Sequence, residues 1–240
     1  MRKILLLVLM LAPLAIAVEQ NDVEFAKPGG VAMTLDLRVP DGKGPLPTAI
    51  IVHGGSFSHG NKRTYVTPLF DVLSNAGFAW FTINYRLAPD YQFPAAVDDV
   101  QSAVIWVKSN APKYRIDPKR VVLIGESAGG YLVAYAGAHA DRSARVAAVV
   151  DFYGIHPKVH PDIARLSGPV LAHFAKHDKS VSEAAAAELV ARIQDAGKEV
   201  EAHTYDAKHA FFNDQRPQVH DRAAAELAWI RTLDFLRRAL

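Results

Sequence analysis

The strongest constraint on the fold of this chain is the alternation of six short apolar runs with stretches long enough to be helices. The runs occupy residues 48–52, 79–83, 121–124, 146–150, 170–174 and 200–205. Most are too continuously apolar to have a face in water, which is the pattern of strands buried on both sides of a parallel sheet. Residues 95–110 and 181–196 between them are amphipathic. The second carries Ser180 three residues before Glu183, a capping-box spacing, and stops at Gly197. Residues 219–240 read as a last helix with Leu227, Ile230, Leu233 and Leu236 as its apolar stripe. Residues 31–39 alternate apolar and polar side chains before the turn Pro40-Asp41-Gly42, which implies antiparallel strands at the start. The expected fold class is therefore α/β: a doubly wound, mostly parallel sheet with helices on both faces.

The chain has 240 residues, half of them hydrophobic, enough for one domain with a large core. Lys and Arg number 27 against 25 Asp and Glu, scattered without a basic run, so nucleic acid is not an expected partner. Met1-Arg2-Lys3, an apolar run to Leu14 and then Ala15-Ile16-Ala17 have the charged, apolar and small-residue regions of a secretory signal peptide. Cleavage near Ala17 would leave 18–240 as a single domain, secreted or periplasmic. The apolar run falls short of the roughly 20 residues that span a bilayer, so stable membrane insertion is not expected. Cysteine is absent, which excludes disulfides and leaves stability to packing.

Chemistry concentrates where the 121–124 run enters Gly125-Glu126-Ser127-Ala128-Gly129-Gly130, followed by a helical pattern to His139. Strand, G-x-S-x-G and helix together make a nucleophile elbow with Ser127 at its apex. The flanking glycines let the backbone fold back, and the new helix aims free N–H groups at the same point. The 48–52 run leads into His53-Gly54-Gly55-Ser56-Phe57, so the N–H groups of Gly55 and Ser56, with that of Ala128, form the expected oxyanion hole. Among ten histidines, His209 follows the last strand and is the expected general base. Asp178, just past the 170–174 strand, is the expected acid, with Asp151 its competitor and Asp206 a weaker one. His173, His177 and Asp178, or His156 and His160, are near enough in sequence to raise a metal site. His173 and His177 lie on a strand and its loop rather than on one helical face, and no glutamate-histidine metal motif accompanies them, so no metal is expected; acyl transfer through a serine needs no cofactor.

From His53 to about Leu132 the chain resembles the hormone-sensitive-lipase-like and related carbohydrate esterases of the α/β-hydrolase superfamily. The resemblance rests on His53-Gly54-Gly55, Asn84-Tyr85-Arg86-Leu87-Ala88-Pro89, Phe93-Pro94-Ala95-Ala96 with Asp98-Asp99, and Gly125 to Gly130. Arg86 with Asp98 or Asp99 reads as an internal ion pair. From Pro169 onward the chain resembles dienelactone hydrolases, in Lys176-His177-Asp178 and in His209-Ala210-Phe211-Phe212-Asn213-Asp214-Gln215-Arg216-Pro217. That family uses cysteine where this chain has Ser127. The two resemblances imply the α/β-hydrolase fold with no large lid domain, since few residues separate Gly154 from Gly168. They also imply ester hydrolysis by Ser127, His209 and Asp178, on acetyl, feruloyl or other short or aromatic acyl esters, small or polymer-borne. A lactone hydrolase, a peptidase and a receptor-like ligand-binding protein are the alternatives. Phe57, Phe152, Tyr153 and Phe211 are the candidate pocket residues.

Overall fold

The computed structural model describes residues 16–154 and 162–240. All but the last two residues of the expected leader, together with His156 and His160, lie outside them. Eight strands form one sheet: β1 (Val18–Ala26), β2 (Met33–Val39), β3 (Leu46–Val52), β4 (Ala79–Ile83), β5 (Ile116–Glu126), β6 (Ala148–Phe152), β7 (Val170–Ala175) and β8 (Val200–Tyr205). Their spatial order is β1-β2-β4-β3-β5-β6-β7-β8. β2 runs antiparallel to both β1 and β4, whereas β3 to β8 are mutually parallel. This is the α/β-hydrolase fold.

Helices α1 (Pro68–Asn75), α2 (Ala95–Ser109), α3 (Ala111–Tyr114), α4 (Ala128–His139), α5 (Glu183–Asp195) and α6 (Arg222–Ala239) fill the connections. Because side chains alternate along a strand, the sheet divides the core in two. Ile50, Val52, Leu123 and Val149 face one way, against Val100 and Val104 of α2, Leu132 of α4 and Leu189 of α5. Ala49, Ile51, Val122, Ile124 and Val150 face the other way, against Leu69 and Leu73 of α1 and Ala228, Phe235 and Leu236 of α6. Burying each large aliphatic side chain contributes roughly 1.5–3 kcal/mol against leaving it in water.

Two details of the sequence reading need correction. Ser182, not Ser180, caps α5: its Oγ accepts the Ala185 N–H at 3.2 Å, while the Ser180 N–H is donated to Asp178 Oδ1. The Ser180–Glu183 spacing has the pattern of a capping box, but the helix begins at Glu183 itself. The stripe of α6 is also different. Leu236 is fully buried, but Leu227 and Ile230 are 42% and 57% exposed, and the buried face is Ala225, Ala228, Thr232, Phe235 and Leu236. At 3.6 residues per turn each step of three slips about 60° around the axis, so Leu227 and Leu236 stand on opposite sides.

The sheet edges are β1 and β8. The pairing of β1 with β2 shifts register twice, between Gln20 and Val23 and between Glu24 and Ala26, while Glu201 on β8 is paired with Arg238 of α6. Among the described residues no helix is long and apolar enough to cross a membrane.

Candidate active site

β5 pairs on one side with β3 and on the other with β6, and its last residues bring Ser127 to the carboxyl edge of the sheet between them. Ser127 has φ +54°, an unfavourable conformation for a residue with a Cβ and one that holds roughly 1–3 kcal/mol of strain. Its surroundings force that turn. A Cβ on Gly125 would strike the carbonyl of Gly129, and one on Gly129 would strike the carbonyl of Val52. Both glycines are therefore required for α4 to start so close to β5 and β3.

The loops beyond β7 and β8 deliver the other two groups. Ser127 Oγ stands 2.9 Å from His209 Nε2, and His209 Nδ1 stands 2.7 Å from Asp178 Oδ2. With Nδ1–H donated to the carboxylate, Nε2 is the free acceptor facing the serine hydroxyl. Burial pushes the Asp178 carboxyl up, but the bond from His209 and the N–H groups of Val181 and Ser180 outweigh it and hold the group below the usual carboxylate range. The competing acids are engaged elsewhere: Asp151 Oδ1 accepts the Gly154 N–H at 2.8 Å inside the turn after β6, and Asp206 pairs with His177 at the surface.

Gly55, Ser56 and Phe57 all have positive φ, and a Cβ on Gly55 would strike the carbonyl of His59. This tight turn puts Gly55 and Ser56 in the wall of the cavity that holds Ser127 and His209, about 270 Å³ in volume. Ala128 is the first residue of α4, and its N–H has no acceptor within the helix.

Three of the four aromatic pocket candidates are misassigned. Phe152, Tyr153 and Phe211 are at most 1% exposed and form the floor beneath Ser127, His209 and Asp178: Tyr153 packs edge-on against His209 and Phe211, and Phe152 packs against Phe212 and His173. They occupy the sheet edge and the first turn after His209, where the chain runs under the site. Phe57 is half-buried and lines a second, apolar cleft of about 390 Å³ with Tyr91, Phe93, Ala96, Tyr131 and Leu132.

The cavity around Ser127 is instead lined by polar groups that the sequence reading did not place there: His59, Tyr65, Glu126, Ser180 and Arg216. The variable positions of G-x-S-x-G and of the segment after His209 carried the only signal for Glu126 and Arg216. Glu126 is buried and accepts the Gly54 N–H at 2.9 Å, which ties the elbow to the glycine turn. Burial raises its carboxyl to about 7. Beside it His53 stacks on Tyr85 at 4.3 Å, and burial lowers its imidazole to about 4. Arg86 pairs with Asp99 rather than Asp98, through its side chain and its backbone N–H, and so fixes the loop after β4. His173 is occupied on both ring nitrogens by Tyr205 and Thr232.

Comparison with known proteins gives a family model, BD-FAE, that matches residues 35–205, from β2 to the end of β8. The chain belongs to the BD-FAE family. Esterase LipQ of Mycobacterium tuberculosis is 30% identical over 180 residues, covering 69% of this chain; the match spans 42% of the length of LipQ. Among solved structures, the propionate-bound esterase Est2 of Thermogutta terrifontis superposes with a TM-score of 0.75 at 18% identity, covering 92% of this chain and 94% of that one. A Klebsiella pneumoniae protein assigned to the dienelactone hydrolases gives 0.76 at 20% identity, covering 92% and 98%. These superpositions match the fold.

Proposed function

We propose that this BD-FAE protein is a serine carboxylic ester hydrolase with Ser127 as nucleophile, His209 as general base and acid, and Asp178 as the partner that orients the imidazole. The observation that carries this reading is the unbroken line from Ser127 Oγ through His209 to Asp178 at a strained elbow. His209 takes the hydroxyl proton as Oγ bonds the ester carbonyl carbon, and the N–H groups of Gly55, Ser56 and Ala128 receive the oxyanion. The C–O bond to the alcohol then breaks, with the His209 proton passing to the leaving oxygen. Water attacks the acyl-enzyme by the same route in reverse.

The apolar cleft beside Phe57 supports short or aromatic acyl groups such as acetyl and feruloyl esters, free or on a polymer. The pattern of residues 1–17 supports export, to be checked by the amino terminus of protein recovered outside the cytoplasm. The catalytic reading is tested with 4-nitrophenyl acetate and methyl ferulate. Ser127→Ala is expected to lower kcat by on the order of 10⁴-fold or more, and a fluorophosphonate should label Ser127 alone. Full activity in the alanine variant, or no cleavage of any ester by the wild type, would overturn it.

A further inference from the structure

We propose that Arg216 is an anion subsite and that the preferred substrate carries a carboxylate on its leaving-group side. Arg216 lines the cavity of Ser127 and His209, with its guanidinium carbon 5.5 Å from the centroid of the Tyr65 ring. Among the described residues no carboxylate stands within ion-pair distance of it. Arg216 is partly buried, and its guanidinium is met by the Tyr65 ring but by no carboxylate, so its donors remain available to a ligand in the cavity. Its planar fork of donors is the side chain best matched to a carboxylate.

The cavity leaves that charge uncancelled at contact. Its one wall carboxylate, Glu126, is directed to the Gly54 N–H, and Arg216 acts on it only as a distant charge that lowers its pKa against a larger effect of burial. Asp178 is engaged by His209. The remaining polar wall, His59, Tyr65, Ser56 and Ser180, brings no negative charge.

The subsite is also held in place. The Tyr65 N–H is donated to Gln215 Oε1, the Gln215 amide reaches Thr67 Oγ1, and the Arg216 N–H closes a turn on Asn213. These bonds lock the loop that carries Arg216 to the loop that carries Tyr65, so little ordering remains to be done on binding.

The side of the ester follows from the mechanism proposed above, on which this inference rests. His209 must hand its proton to the leaving oxygen, so the alcohol part departs on the His209 side of Ser127. Arg216 arrives on the same connection between β8 and α6 as His209. The acyl part is left to the glycine turn and the apolar cleft beyond Phe57.

The test is a matched pair, 4-acetoxybenzoate and its neutral isostere 4-acetoxybenzamide, each releasing acetate and a phenol. Wild type is expected to favour the carboxylate by about tenfold or more in kcat/KM, mainly through KM, the scale of one charge-assisted contact. Added salt should shrink the ratio, since the cavity is open to solvent. Arg216→Met should bring the ratio to about one, and Arg216→Lys should keep part of it. A wild-type ratio of one or less overturns the subsite, whether or not the variants fold. So does a ratio that survives Arg216→Met, or a variant that shifts only the pH profile, which would make Arg216 a counter-charge for Glu126. If neither ester nor 4-nitrophenyl acetate is cleaved, it is the esterase reading that has failed, and the subsite falls with it.

Discussion

Glu126 sits next to Ser127 with conflicting demands on it. Its oxygen is needed to hold the Gly54 N–H, yet its charge is buried. A carboxyl raised from 4.5 to about 7 binds more protons folded than unfolded between those values, so folding stability falls as pH rises through that window. Below pH 4.5 the penalty is absent, and above pH 7 it is complete, at an upper bound of about 3 kcal/mol for a shift of that size. Glu126→Gln keeps an acceptor for Gly54 without the charge. It should therefore raise the melting temperature over wild type at pH 8 and change it little at pH 4.5, as scanning calorimetry would show. An equal effect at both pH values would mean that the charge is not the source of the cost. Ser127 was legible in the sequence because its backbone geometry demands Gly125 and Gly129. Glu126 and Arg216 were not, because neither position is restricted by sterics; their roles depend on what other loops bring near them.

Several short apolar runs coincide with strands, but β6 (Ala148–Phe152) lies two residues beyond its expected run at 146–150, and the three-residue stripe of the last helix does not match its buried face. β4 and β8 begin and end where their apolar runs do, and α2 starts at the expected residue. β5 extends well before its apolar run, because Asp117, Pro118, Lys119 and Arg120 continue the strand at the sheet's amino edge without its apolar pattern. The two helix errors yield direct tests. Ser182→Ala should cost about 1 kcal/mol through loss of the α5 cap, and urea unfolding of that variant beside one at an uninvolved surface serine would register it. On α6, Leu236→Ala should cost about 2–5 kcal/mol and Leu227→Ala less than about 0.5. Equal costs for the two leucines would reinstate the three-residue stripe. Phe152, Tyr153 and Phe211 were misjudged for a related reason: a sequence shows that aromatics flank a site, but not whether the chain passes over or under it.

At the scale of the molecule, Ser127, Asp178 and His209 hang from β5, β7 and β8, and no single element holds the candidate site. Leu123 and Ile124 are neighbours on β5 that face the two opposite halves of the core. Truncating either to alanine should therefore destabilise the same sheet, by about 2–5 kcal/mol each. In both variants esterase activity and far-UV circular dichroism should be lost at one urea midpoint; activity lost well before the helices would show the site to be a separately melting unit. The parallel body of the fold was visible in the sequence as continuous apolar runs. The order of its strands was not, because the β4-β3-β5 crossovers are long-range pairings that no local pattern encodes. The two sheet edges bear on how this chain behaves among its own copies. An unpaired strand is a template for another, and this protein has no disulfide to keep its ends closed during partial opening. The register breaks in β1 interrupt one template, and the Glu201–Arg238 pair sets charge on the other, so among the described residues both margins carry a feature that hinders crowded molecules from adding strand to strand into fibrils.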